Sequence, residues 1–142
     1  MSIRRAVELN FKNKIEAVLA GSRYTVLESV RNEDRPMPYV LVMAGTATNP
    51  FEGMAAADGN YMVEMSVVVM TNIDTGSIDE HNDVCQKVGR LMADKTVRRE
   101  SSVDGLYLYD VIKTSAGEAN QDRKMGYGMN FKVVANYTPL TP

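Results

Sequence analysis

The sequence has very few of the residues that build disulfide frameworks and metal sites. It contains one cysteine, Cys85, and one histidine, His81. A single cysteine excludes an internal disulfide and fits a protein made in a reducing compartment. One cysteine and one histidine are also too few for a structural zinc site of the usual four-ligand kind. We therefore expect a fold without a disulfide, a bound metal or a cofactor.

Long hydrophobic runs are absent as well. No apolar stretch approaches the roughly 20 residues that a membrane-spanning helix needs, so we expect a soluble protein. The 142 residues are 44% hydrophobic and 24% charged, as in ordinary globular domains. A single domain of this size buries roughly 68–70% of its unfolded surface, which supports a core without covalent staples. We predict one domain over residues 1–142, with an extended tail at 137–142.

Positive charge is missing from the middle of the chain. Between Pro36 and Gln86 there is no lysine or arginine, although the whole chain has 16 basic and 18 acidic residues. The same window holds seven acids, which are Glu52, Asp58, Glu64, Asp74, Asp79, Glu80 and Asp83. This separation places one sign of charge on part of the surface. It suits head-to-tail contacts between copies, or a wall that repels a polyanion.

The apolar pattern predicts two amphipathic helices. Ser2 can cap the first, which runs over residues 3–20 and ends before Gly21. Asp74 or Thr75 can cap the second, at residues 78–93, and Ile78 belongs to its apolar stripe.

Five strands are predicted from runs of apolar and alternating residues, at 24–30, 39–43, 61–71, 106–112 and 125–133. In the fourth, Tyr107, Tyr109 and Val111 share one face. Long loops are predicted at 46–60 and 113–124. The order α, β, β, β, α, β, β predicts an α+β fold. Its mostly antiparallel sheet has four to five strands, with two helices packed on one face and long protruding loops.

No set of residues predicts catalysis. His81 and Cys85 are four apart and could form a nucleophile pair, but both lie in the apolar stripe and no Asn or Asp is placed to orient the imidazole. Asp79, Glu80 and Asp83 lack the glycine and the ligand spacing of an EF-hand, and they suit the positive end of a helix dipole. We expect no enzyme activity.

Several segments carry a resemblance to a known family. They are the helix at 3–20, the string Met37-Pro38-Tyr39-Val40-Leu41-Val42, the loop with Gly45 and Phe51-Glu52-Gly53, the strand at 61–70, the helix at 78–93 and the late strands around the loop at 117–124. In this order they resemble the tail-terminator (tail-completion) proteins of long-tailed bacteriophages and the related neck proteins. The resemblance covers nearly the whole chain.

The resemblance implies a structural virion protein without enzyme activity or a cofactor. Such proteins form hexameric rings that cap the finished tail tube, end its polymerisation and face the head connector. The implied partners are further copies of the chain, the tail tube protein and a connector or adaptor protein. DNA passes through the lumen without specific binding, and no membrane is involved. The implied location is the virion, after assembly in the host cytoplasm.

Charged residues are the candidate contacts of such a ring. Those expected to face the lumen or an adjoining ring are Glu52, Asp58, Glu64, Asp122, Arg123 and Lys124. Like charge along a DNA conduit keeps the passing phosphates from sticking. A closed ring needs two different patches on each copy. The candidates are Arg4, Arg5, Arg98 and Arg99 on one side and Asp79, Glu80 and Asp83 on the other, so ring formation should weaken with salt.

Two alternatives stay open. The chain could be another neck component, such as a head-completion or adaptor protein. It could instead be a non-enzymatic module that binds a small ligand between its two long loops.

Overall fold

The computed structural model describes residues 2–28, 37–48, 60–74, 76–94, 100–118, 120 and 123–138. Over these residues the elements are α1 (Ile3–Val18), β1 (Thr25–Glu28), β2 (Tyr39–Thr48), β3 (Asn60–Asn72), α2 (Ile78–Ala93), β4 (Leu106–Glu118) and β5 (Lys124–Tyr137). The predicted α+β class and the predicted order of elements are confirmed. Neither helix in the described part of the chain is long and apolar enough to cross a membrane.

The five strands form one sheet in the order β1-β2-β3-β5-β4. Only β1 and β2 run parallel, and the other neighbouring pairs are antiparallel. The centre of the sheet is the pair β3 and β5, which are in register from Asn60 opposite Asn136 to Asn72 opposite Lys124. β1 and β4 are therefore the two edges of the sheet.

The hydrophobic core lies between one face of the sheet and the two helices. α1 contributes Val7, Phe11 and Ile15, whose four-residue spacing places them on one side of the helix. α2 contributes Val84, Val88 and Met92 in the same way. The sheet supplies every second residue of its strands, including Val40 and Val42, Val63, Met65, Val67 and Val69, and Met129, Phe131, Val133 and Ala135.

The cap of α1 is confirmed, whereas the cap of α2 was predicted wrongly. The hydroxyl of Ser2 accepts a hydrogen bond from the amide of Arg5 at 3.2 Å. In α2 this role belongs to Ser77, whose hydroxyl accepts from the amide of Glu80 at 3.1 Å. Asp74 lies within the turn that the amide of Gly76 closes on the carbonyl of Asn72, and Thr75 lies outside the described residues. A serine followed three residues later by a glutamate is a known helix-start signal, so the sequence did contain this cap.

Gly76 allows α2 to begin close against the end of β3. An added Cβ at this position would lie 2.8 Å from the carbonyl oxygen of Asn72, a distance that real Cβ atoms do not adopt. The amide of Gly76 donates to the same oxygen at 2.8 Å. This tight turn sets where the first turn of α2 stands beside the sheet.

The predicted second loop is wrong over most of its length. Residues 113–118 belong to β4 and Lys124 opens β5, because backbone pairing such as Ser115 with Asn130 continues beyond the apolar part of the strand. The first loop starts later than predicted, since β2 continues through Thr48. Residues 49–59, which include Glu52 and Asp58, lie outside the described residues, as do Arg98, Arg99, Asp122 and residues 139–142 of the predicted tail.

The predicted face of β4 is also partly wrong. Tyr107 and Tyr109 share the solvent side, with 60% and 50% of their surface exposed, but Val111 is buried. The register of β4 against β5 shifts between Leu108 and Asp110. This bulge adds one residue and turns Val111 to the core side.

Candidate functional site

An open cleft of about 530 Å³ lies between α2 and the outer end of the β4–β5 hairpin, and we call it the α2 cleft. Its lining residues are Ile78, His81, Asn82, Cys85 and Gln86 from α2, with Glu118, Asn120, Met125, Gly126 and Tyr127 from the hairpin side. Ile78 was predicted to be buried, but 64% of its surface is exposed. It is the first residue of α2 and stands at the mouth of the cleft, beyond the turns that pack on the core.

A chain of buried polar contacts runs behind this cleft. The hydroxyl groups of Tyr24 and Thr71 are 2.6 Å apart, and Thr71 Oγ1 is 2.7 Å from Nδ1 of His81. The other ring nitrogen, Nε2, lies 3.7 Å from Sγ of Cys85. Tyr24, Thr71 and His81 are all buried. A threonine hydroxyl, which the sequence analysis did not consider, therefore orients the imidazole.

The His81–Cys85 pair is not arranged as an activated nucleophile. Burial raises the pKa of the Cys85 thiol to about 11. Burial also lowers the pKa of His81, while the charge of Glu118 acts in the opposite direction. A nucleophilic cysteine needs a thiolate, which a depressed pKa or an imidazolium neighbour would favour. At neutral pH this pair is a neutral imidazole beside a thiol. Its contact with Thr71 joins α2 to β3, and Thr71 in turn contacts Tyr24, the residue before β1.

Within the described ranges, no group of three or more His, Cys, Asp and Glu side chains is placed to hold a metal ion.

The acids near α2 largely have basic partners in the same chain. Asp74 lies 3.4 Å from Arg123, Glu80 lies 2.7 Å from Arg23, and Asp83 lies 3.1 Å from Lys87. All three cations come from outside the segment that lacks lysine and arginine. The fold therefore offsets much of the charge separation that the sequence shows. For Asp79, the remaining acid of the predicted patch, no ion pair occurs with another described residue.

The predicted basic patch at the start of α1 is also engaged within the chain. One guanidinium nitrogen of Arg5 lies 2.6 Å from the carboxylate of Glu28. This hydrogen-bonded pair raises the pKa of Arg5, against the effect of desolvation. Arg4 donates to the carbonyl oxygen of Ala44 at 3.2 Å. Both side chains thus help to hold α1 on β1 and β2.

Arg4 acts at a bulge in β2, together with a buried acid. The register of β2 against β3 shifts between Ala44 and Ala47, so Ala44 is the last paired residue before the bulge. The amide of Ala44 donates to Oε2 of Glu8 at 2.9 Å, and only 6% of Glu8 is exposed. Two side chains of α1 therefore satisfy both backbone groups of Ala44.

The two charge patches lie far apart on the sheet. Ala44, which Arg4 contacts, is opposite Met65 of β3, and His81 near the start of α2 contacts Thr71 of the same strand. Six residues of an extended strand span about 20 Å. Heterologous patches require such a separation, but the contact between copies stays a prediction.

The candidate lumen residues do not form one group. Glu64 is exposed on the face of the sheet away from the helices, directly opposite Lys132 of β5. Arg123 has a positive φ of 62° in the turn before β5, and Lys124 is opposite Asn72. The eight residues of β3 between Glu64 and Asn72 correspond to about 26 Å.

Exposed apolar residues near the cleft and on β4 were not recognised as functional candidates from the sequence. Tyr107 and Tyr109 form an edge-to-face pair with ring centroids 5.0 Å apart, and Ile112 beside them is 48% exposed. Ile73 and Ile78 line a recess that adjoins the α2 cleft and shares Met125 with it. Tyrosines at alternate positions of an edge strand were the available signal for the first group.

No protein-family model and no curated protein matches the sequence. Solved structures do match the fold. One is a chain of the "Virion of native gene transfer agent (GTA) particle", with 12% sequence identity and a TM-score of 0.64 over 95% of this chain and 98% of that chain. A second, which carries no functional description, has 19% identity and a TM-score of 0.57, over 96% of this chain and 95% of its own. At these identities the likeness concerns the fold.

Proposed function

We propose that the chain is a structural protein of a tailed virion or virion-like particle. The observation that carries this proposal is the shared fold with a chain of the gene transfer agent virion, at a TM-score of 0.64. The match spans 95% of this chain and 98% of that chain, so both have the same extent of fold. The order of elements that resembles tail-terminator proteins points in the same direction, independently of the structural match.

The finer proposal is a ring, hexameric in stoichiometry, that caps the tail tube and ends its polymerisation. It also joins the tail to the head connector and leaves a lumen for DNA. The surface supports it because the chain has different exposed features on its two faces and at its two sheet ends. A heterologous contact, which closes into a ring, needs such unlike patches on each copy. The tail tube protein and a connector or adaptor protein are the proposed partners on the two sides of the ring.

Among the described residues, Glu64 remains our candidate for a lumen or ring-to-ring contact. Glu52 and Asp58 are candidates that lie outside the described residues. Lys132 opposite Glu64 reduces the negative field there. Acids along a DNA conduit would still limit adsorption of phosphates. Charge reversal at Glu52 and Asp58 should impair assembly or infectivity. Unchanged assembly and infectivity would reject this assignment.

The proposed charge patches contribute less to the affinity between copies than the sequence suggested. Arg5, Glu80 and Asp83 would have to exchange their intrachain partners for partners on a neighbouring copy. An exposed ion pair contributes about 0–1 kcal/mol, so the gain from such an exchange is small. We propose that these residues set the register of the ring, whereas its affinity comes from apolar contacts.

Negative-stain electron microscopy of the concentrated protein at low and high salt tests the ring. Six-fold particles with a central hole are the expected result, and they should persist at high salt with a somewhat lower yield. Particles of monomer size at both salt levels would contradict a ring that forms by itself.

A second candidate function follows from the α2 cleft, whose volume of about 530 Å³ lies within the usual range of about 300–1,000 Å³ for ligand sites. In this alternative the chain is a non-enzymatic module for a small ligand. The two long loops of the sequence analysis do not form this site together, because α2 supplies one wall. Native mass spectrometry of the purified monomer with a bound small molecule would favour this function over the ring.

A further inference from the structure

The exposed large apolar side chains of the described residues fall into two groups. The first, which we call the aromatic patch, consists of Tyr107, Tyr109 and Ile112 on β4. The second is formed by Ile73 and Ile78 at the mouth of the α2 cleft. Only Val18, on α1, belongs to neither. Single exposed apolar residues are normal on a monomer, whereas grouped ones mark interaction surfaces.

The two groups differ in shape. The aromatic patch protrudes from an edge strand, on the face of the sheet away from the helices. The α2 cleft is a depression on the helix side, with Met125 and Tyr127 among its lining residues. One surface can therefore enter the other.

The aromatic patch cannot enter the cleft of its own chain. Tyr109 and Glu118, which lines the cleft, are nine residues apart on the continuous strand β4. Nine extended residues span about 30 Å. Contact between the two surfaces therefore requires a second copy.

The chemistry of the cleft suits a tyrosine. Its apolar residues can cover the aromatic rings, while the exposed carboxamides of Asn82 and Gln86 on α2 can hydrogen-bond to a phenol hydroxyl. The hydroxyl of Tyr109 has a long contact of 3.4 Å to Asn60, which a better partner could replace. Tyrosines in desolvated pockets are frequent energetic centres of protein interfaces.

One charged pair can help to orient the contact. Glu118 lies at the rim of the cleft and Asp79 lines the adjoining recess. At the Ile112 end of the aromatic patch, Lys132 lies opposite in β5 and shares the face of the patch. Asp110 and Glu64 lie on the same face and carry the opposite sign of charge. Lys132 of one copy can therefore pair with Glu118 of the next.

We propose that Tyr107 and Tyr109 of one copy dock into the α2 cleft of the next copy. This proposal rests on the proposed ring and specifies its contact, since the two surfaces are unlike and each copy presents both. Such a head-to-tail contact closes into a ring when the rotation between copies closes.

The single native cysteine allows a direct test, because Cys85 lines the cleft. A second thiol is introduced by Ile112→Cys, which keeps both tyrosines. The concentrated protein is then treated with a short bis-maleimide at mildly alkaline pH, which offsets the raised pKa of Cys85, and analysed on a denaturing gel. The matched control is Val18→Cys, which places a thiol at the exposed apolar residue outside both groups. Ile112→Cys combined with Cys85→Ser removes the thiol in the cleft.

We expect a ladder of cross-linked species up to the full ring for Ile112→Cys, and none for Val18→Cys or the Cys85→Ser combination. Rings in the electron microscope without this ladder would overturn the docking proposal and leave the proposed ring intact. Dimers alone, retained in the Cys85→Ser combination, would show a symmetric contact and also overturn it. Absence of both rings and ladder would contradict the docking and the self-assembling ring together.

A substitution without any added thiol supplies an independent readout. Tyr109→Ala should weaken self-association by at least tenfold, because it removes the aromatic side chain that the cleft of the next copy covers in the proposed contact. Tyr61→Ala, at a tyrosine of β3 outside the aromatic patch, is the control, and each variant is checked for its unfolding midpoint. Equal association of the Tyr109→Ala variant and the unaltered protein in sedimentation velocity would reject the aromatic anchor.

Discussion

Replacement of Glu8 by alanine tests how α1 is fixed to the sheet. The substitution removes the carboxylate that accepts from the amide of Ala44 at 2.9 Å, at a site where 7% of Ala44 is exposed. An unsatisfied buried amide costs about 1–3 kcal/mol, and a hydrogen bond to a charged group contributes about 1.5–3 kcal/mol. These figures describe the same interaction and are not summed. The better helix propensity of alanine returns less than about 0.5 kcal/mol.

The expected net loss for Glu8→Ala is therefore about 2 kcal/mol of unfolding free energy. For a domain of this size, this corresponds to a decrease of roughly 6–8 °C in the unfolding midpoint. Urea titration followed by circular dichroism measures the loss, and the slope of the transition should stay unchanged.

Two matched variants separate the causes. Glu8→Gln keeps an acceptor oxygen and should lose only about 1 kcal/mol. Glu16→Ala, on the exposed side of the same helix, removes a surface pair with Lys12 at 2.9 Å and should lose less than about 0.5 kcal/mol. A Glu8→Ala variant as stable as Glu16→Ala would refute the role of the carboxylate at the bulge. A Glu8→Gln variant as unstable as Glu8→Ala would assign the effect to charge instead of to the acceptor.

Three further outcomes follow from the structure. His81 has a pKa below its ordinary 6.5, so the unfolded chain binds the proton more tightly and stability should fall as the pH drops below 6.5. His81→Asn, which can keep a contact with Thr71, should remove this pH dependence of stability in urea titrations run from below pH 6.5 up to neutrality. An equal loss of stability at low pH in this variant would contradict the assignment to His81. Asn10→Ala should cost about 1–2 kcal/mol in thermal unfolding, because buried Asn10 accepts from the amide of Ser102 at 2.8 Å, whereas exposed Asn13→Ala should cost little. Self-association should weaken no more than about tenfold between low and high salt, since exposed ion pairs contribute little, and a much steeper loss in sedimentation experiments would indicate a mainly ionic interface.

The helices and the central strand were predictable because their signals are local. Residues Val7, Phe11 and Ile15 recur at helical spacing, and Ser2 is a strong cap. The alternation from Val63 to Val69 likewise indicates a strand with one buried face. Local periodicity and capping chemistry therefore sufficed for the α+β class and for the order of elements.

The outer half of β4 was not predictable in this way. Residues 113–118 are polar or small and exposed, so their composition favours a loop. They form a strand because β5 offers paired backbone groups, a tertiary effect that overrides local preference. The bulge near Asp110 also depends on pairing with β5. It places Val111 on the side of the sheet opposite to the predicted one.

The candidate site depended even more on three-dimensional context. Ile78 lines the α2 cleft with 64% of its surface exposed, whereas its position in the apolar stripe predicted burial. The acids Glu80 and Asp83 were expected to face another copy, but the fold brings Arg23 close to one and Lys87 close to the other. Of these partners, only Lys87 follows its acid at helical spacing and could be read from the sequence.

The most direct test of the central claim is the effect of the purified protein on growing tail tubes. The tube protein of the same particle is polymerised with increasing amounts of this chain, and tube lengths are measured by electron microscopy. We predict that mean length falls as the ratio rises and that the chain, located by a gold-labelled affinity tag, lies at tube ends. Unchanged lengths with no label at the ends would contradict a role as the ring that terminates the tube.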